Sequence, residues 1–107
     1  MNRDRERLLH IVEAIDRIEK YARRGWEAFR RDELLQAWVV HHVEIIGEAV
    51  RGLSDEFRSE HPEVPWREAM QMRNILVHQY FRVDLEEVWA TVERDLPKLK
   101  QQIQVIV

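Results

Sequence analysis

Apolar residues recur along this chain at three- and four-residue intervals, the period of helices that each bury one face. Leu8, Ile11, Val12, Ile15, Ile18 and Ala22 form the first such stripe, and Gly25 is placed to end it. "WEAFRR" reads as a short connection carrying two aromatics, after which Asp32 offers an N-cap. In "DELLQAWVVHHVEIIGEAVRGL" the positions Leu35, Val39, Val43, Ile46, Val50 and Leu53 keep helical register. Trp38 and Ile45 widen that stripe, which predicts contacts on two sides. Gly47 within it costs about 1 kcal/mol against Ala, so it predicts a close approach by another backbone.

"LSDEFRSEHPEVPW" predicts a short helical turn capped by Ser54 and stopped at His61-Pro62, with Pro65 suited to the first position of the next helix. That helix carries Trp66, Ala69, Met70, Met72, Ile75 and Leu76. A turn is expected after Tyr80-Phe81, and Asp84 with Glu87 three residues on has the pattern of a capping box. Leu85, Val88, Trp89, Val92 and Leu96 supply the last buried face, which Pro97 should kink or restart because it lacks an N–H. The tail "IQVIV" is a short apolar end suited to docking or to pairing with another subunit. No strand alternation persists and no internal repeat is present. The pattern predicts an all-α, up-and-down bundle of four to five helices in one domain spanning residues 1–107.

Length agrees, since 107 residues suffice for one core and not for two. With 45% hydrophobic and 35% charged residues, and only 3 Gly and 3 Pro, disorder is excluded. There is no cysteine, so disulfides, thiolate metal sites and cysteine nucleophiles are excluded too. The first twenty residues are charged and amphipathic, without the apolar core of a signal peptide, and no later stretch approaches membrane-spanning length. A cytoplasmic protein without a membrane partner is expected.

The net charge of −3 is unevenly spread. Residues 1–31 carry nine Arg and Lys against six Asp and Glu, and the remaining positions carry eight against fourteen. Contact with a polyanion would therefore be local, with Arg23, Arg24, Arg30 and Arg31 as one cluster that suits it, although a solvated helix face explains the same residues.

The chemistry concentrates in "RNILVHQYFRVD". On a helix advancing roughly 100° per residue, Asn74 and His78 share one face and Arg73 and Tyr80 another, while Arg73 and His78 stand roughly 140° apart. A long arginine side chain, or a helix that loosens near His78, would bring both to one groove. There His78 can take the proton of a ribose 2′-hydroxyl and Arg73 can grip the phosphate, with Asn74 orienting the imidazole or donating to the phosphate. That suffices for RNA cleavage with neither metal nor cofactor. On spacing alone, the same residues also suit a cap, a helix-dipole partner and a packed ring.

The segment "IIGEAVRGLSDEFRSEHPEVPWREAMQMRNILVHQYFRVDLEEVWATVERDLPKLKQQI" resembles the HEPN superfamily, specifically the HepT-like toxins of HepT/MntA-type toxin–antitoxin pairs. The resemblance covers Ile45 to Ile103 closely and the first helix loosely. Arg73, His78 and Tyr80 match the branch's R-x4-H-x-Y pattern, flanked by "IIGEA", "HPEVPW" and "YFRVDLEEVW". It implies a helical homodimer with paired Arg/His sets near its interface and metal-independent endoribonuclease activity on an RNA substrate. It further implies a minimal nucleotidyltransferase (MntA-like) antitoxin that transfers AMP onto Tyr80. "HHVEIIGEA" departs from the branch, which more often has an Asn-Leu pair before the glutamate. His41 and His42 are read as interface or surface residues and not as ligands, and no metal-site pattern is present. The competing reading is a catalytically inactive helical module that binds a nucleotide or the nucleotidyltransferase.

Overall fold

The computed structural model describes residues 3–78 and 84–107, with the backbone alone for 73–78. Helix α1 runs Arg3–Ala22, α2 Trp26–Arg31, α3 Glu33–Arg51, α4 Asp55–Glu60, α5 Trp66–His78, α6 Leu85–Ala90 and α7 Leu96–Ile106. A π-helical turn, Thr91–Asp95, joins α6 to α7. The described residues contain no strand, so the all-α expectation holds.

Most boundaries follow from local chemistry. Gly25, at φ 90°, turns the chain after α1 in a backbone region that only glycine enters cheaply. Asp32 caps α3 by accepting from the Leu34 and Leu35 amides at 2.9 and 3.2 Å. Ser54 caps α4 through the Phe57 amide at 3.1 Å, and Asp84 caps α6 through those of Glu86 and Glu87. Pro65 falls one place earlier than expected: its carbonyl accepts from the Ala69 amide at 3.0 Å, so it flanks α5 and the first helical residue is Trp66. At Pro97 the α-helix restarts, as the sequence expects: α7 begins at Leu96 after the π turn. The π turn widens the backbone just before it, and Leu96 N–H donates five residues back to the Thr91 carbonyl. The proline then sits in the first turn of α7, where its missing N–H costs little.

"WEAFRR" is a helix and not a plain connection. Its aromatic pair explains the difference, because Phe29 is fully buried and its ring lies 5.2 Å from Trp89, with Trp26 completing the cluster at 6.2 Å from each. Only a helical turn brings positions 26 and 29 to one side.

The core is built by Leu8, Ile11, Ile15 and Ile18 of α1, Val39, Val43, Ile46 and Val50 of α3, Trp66 and Ala69 of α5, and Val92, Leu96 and Ile103 beyond. Helix α3 packs against both α1 and α5. Its wide stripe is thus occupied within one chain, with Gly47 buried on it. Trp38 is also spent internally: the indole Nε1 donates to the Arg17 carbonyl at 2.9 Å and its ring meets Tyr21 edge-on at 5.2 Å. Lys100 ties α7 to α1 through Asp16 and Glu19 at 2.6 and 3.0 Å, and these partners raise its pKa above the ordinary lysine value. The "IQVIV" tail docks as helix, with Ile103 buried and Val105 outward.

Candidate functional site

The helix carrying the predicted site is anchored at its start. Trp66, nearly buried, donates from its indole Nε1 to the His61 carbonyl at 2.9 Å, which fixes the "HPEVPW" turn against α5. Neither Gly nor Pro interrupts the run from Trp66 to His78, and the backbone stays α-helical throughout. The loosening that the sequence allowed near His78 does not occur up to that residue.

Helical register then sets the relative places of the site positions. Position 73 follows buried Ala69 by four and buried Trp66 by seven, so it continues the stripe that meets the core. Position 74 follows half-buried Met70 by four, and position 78 continues the line of exposed Gln71. Arg73, Asn74 and His78 therefore share one continuous helix within about 7.5 Å of rise, with positions 73 and 78 roughly 140° apart around it. The backbone alone does not converge them. Tyr80, expected as the AMP acceptor, lies outside the described residues, as does the predicted turn at Tyr80-Phe81; the Ile75 and Leu76 side chains are not described either.

One of the two neighbouring histidines departs from expectation. His41 is exposed, but His42 is only 2% exposed and belongs to the interior. Its Nδ1 donates to the Trp38 carbonyl at 2.7 Å, one helical turn back, and its ring packs on the Trp38 indole. Burial lowers its pKa below the ordinary histidine value, more than the hydrogen bond to Trp38 raises it, and the His41 and Arg17 charges lower it further. Position 42 follows Leu35 by seven and Val39 by three, so it falls on the buried stripe of α3; the sequence reading passed over it because histidine is a polar residue type.

Three other features escaped the sequence reading. A cleft of about 350 Å3 between α1 and α3 brings together Arg7, His10, His41, Glu44 and Glu48. A second, of about 520 Å3, lies where α5 meets the π turn and α7 and includes Glu68, Gln71, Arg94 and Lys98. The third is Arg58, whose guanidinium lies against α5 with Nη1 at 3.7 Å from Met70 Sδ. Nothing in a lone arginine on a six-residue helix marks it; only the packing of α4 does. Among the described residues, no group of three or more His, Asp or Glu is placed to hold a metal. Arg23, Arg24, Arg30 and Arg31 lie exposed, three of them paired with Glu27 or Asp32, as the solvated-face reading expects.

Comparison with known proteins shows the family. The family model described as "Ribonuclease HepT-like" matches residues 11–106. "Probable ribonuclease HepT" of Thermococcus cleftensis is 43% identical over 95 residues, covering 88% of this chain and 86% of that protein. "Putative RNase TTE0752" of Caldanaerobacter subterraneus subsp. tengcongensis is 38% identical over 107 residues, covering 99% of this chain and 96% of that one. A Methanocaldococcus jannaschii protein, "Gamma-glutamylcyclotransferase and putative RNase MJ0434", is 44% identical over 97 residues; the match spans 90% of this chain but 44% of that protein's length. No solved structure matches. The fold is an all-α bundle, and the family match places it in a ribonuclease class. The chain belongs to the HepT-like ribonuclease family.

Proposed function

We propose that this protein is a metal-independent endoribonuclease, the toxin half of a toxin–antitoxin pair acting in the cytoplasm, with residues 1–107 forming one domain. The observation that carries the reading is the unbroken α5, which carries the motif positions Arg73 and His78, with Asn74 between them, on one helix of a chain that belongs to this family. His78 removes the proton from a ribose 2′-hydroxyl, and the 2′-oxygen attacks the adjacent phosphorus. Arg73 stabilises the charge that accumulates on the phosphate oxygens, assisted by Asn74. The bond to the 5′-oxygen breaks, that oxygen takes a proton from the imidazolium that His78 has become, and the products are a 2′,3′-cyclic phosphate and a 5′-hydroxyl.

Activity resides in a homodimer that pairs two such helices. Since α3 fills its stripe within one chain, this part of the proposal draws on family membership and not on a leftover apolar face. A minimal nucleotidyltransferase silences the enzyme by moving AMP from ATP to the Tyr80 hydroxyl with release of pyrophosphate. The added bulk and negative charge would block RNA without refolding the toxin.

The test is incubation of purified protein with total RNA in chelator, followed by sequencing and end-chemistry of the fragments. Cyclic phosphate and 5′-hydroxyl ends, lost in His78→Ala, are expected. Intact RNA would instead favour an inactive module that binds a nucleotide or the nucleotidyltransferase.

A further inference from the structure

Arg58 stands in an environment that the fold does not satisfy. Its side chain is 23% exposed, yet its Nε–H is buried and, among the described residues, finds no acceptor. One terminal nitrogen pairs with Asp55, a carboxylate that is 95% exposed, and the other meets the weakly accepting Met70 sulfur. A largely covered cation with one orphaned donor and one solvated partner is costly to keep, because burial weakens its hydration without supplying equivalent bonds. Arg58 lines an open cleft of about 570 Å3 together with Asp55, Arg67, Glu68 and Met70. Two carboxylates balance two arginines there, so the case rests on the placement of Arg58 and not on net charge.

That placement is along the site helix. Met70 precedes position 73 by three residues and position 74 by four, so its side is the one that continues into the interval between positions 73 and 78. One helical turn, about 5.4 Å, separates the Arg58 contact from the Asn74 level. This is of the order of one nucleotide step in an extended strand.

We propose that Arg58 is a substrate-binding residue that grips the RNA phosphate neighbouring the scissile one, giving the enzyme a subsite for single-stranded RNA longer than a dinucleotide. The fork geometry of the guanidinium suits a phosphate, which would replace the solvated Asp55 as its partner. This rests on the ribonuclease reading for the place of the scissile phosphate, but the anion site itself does not require cleavage.

The experiment compares a dinucleotide, with its single phosphate, against a short unstructured oligoribonucleotide. Both cleavage and, in a His78→Ala background, binding by fluorescence anisotropy are followed across salt concentrations. Wild type should favour the longer substrate by about tenfold or more in kcat/KM. Arg58→Gln should lose that preference through KM, with dinucleotide cleavage unchanged, and should reduce the slope of log affinity against log salt by about 0.7. Arg58→Lys should recover the salt slope but only part of the preference. Asp55→Asn, at an exposed position, should keep or strengthen the preference and decides the matter should Arg58→Gln fail to fold. Equal losses on both substrates in Arg58→Gln, or a wild type indifferent to length, would overturn the subsite. A wild type that cleaves nothing but binds RNA with the Arg58-dependent slope would overturn the ribonuclease reading and leave the subsite standing.

Discussion

His42 donates from Nδ1 to the Trp38 carbonyl at 2.7 Å while its ring lies 4.3 Å from the Trp38 indole, and that indole in turn donates to the Arg17 carbonyl of α1. The seam between α1 and α3 is thereby built around a neutral imidazole. Its pKa is lowered in the folded protein, so the unfolded chain binds more protons, and the contribution to stability is whole above pH about 6.5 and declines as pH falls toward the folded value. The melting temperature should drop between pH about 7 and 5. His42→Phe keeps a ring and removes the titration, so its melting curve should be flatter across that window; an unchanged slope would assign the acid sensitivity to other groups.

Ser54 joins two ends of the fold. Its Oγ accepts from the Phe57 amide at 3.1 Å and donates to Asp4 Oδ2 at 2.8 Å, and its own amide donates to Asp4 Oδ1 at 2.8 Å. Ser54→Ala removes both side-chain bonds and should cost about 1–2 kcal/mol. Urea denaturation should show a lower midpoint with an unchanged slope.

Lys100→Met should cost about 1 kcal/mol or less, since Asp16 and Glu19 remain partly solvated. The raised lysine pKa means that this contribution is whole below pH about 10.5 and is lost as pH rises from there through the higher folded value. High salt should shrink the difference between variant and wild type, which thermal melts at two ionic strengths would measure.

Arg73→Ala and His78→Ala should each lower RNA cleavage by about a hundredfold or more while circular dichroism stays helical, because each removes the proposed chemistry and neither shortens α5. Growth assays on expressing cells should show toxicity lost in step with cleavage. Variants that remain fully toxic would end the assignment of those residues.

Tyr80→Phe should stay active but escape neutralisation when co-expressed with the cognate nucleotidyltransferase. Intact-mass and peptide measurements on the wild-type protein should find one or more AMP units at Tyr80. An unmodified tyrosine in a neutralised complex would mean inhibition by occlusion. Sedimentation of the toxin alone should give a dimer at micromolar concentration.

The sequence by itself determined which stretches are helical and where most of them begin. Stripe period, the caps Asp32, Ser54 and Asp84, and breakers such as Gly25 act through bonds within a turn or two, so they are written locally. It also carried the R-x4-H-x-Y motif as a string. What required the tertiary structure was every feature whose environment comes from another element. "WEAFRR" is helical because Phe29 and Trp26 find Trp89, some sixty residues away in sequence. Pro97 is tolerated because a π turn makes room ahead of it. Arg58 meets α5 only because α4 folds back onto that helix, and its unmet donor exists only once it is buried there. Burial is a relation between elements, and a one-dimensional pattern records only one partner of each such pair.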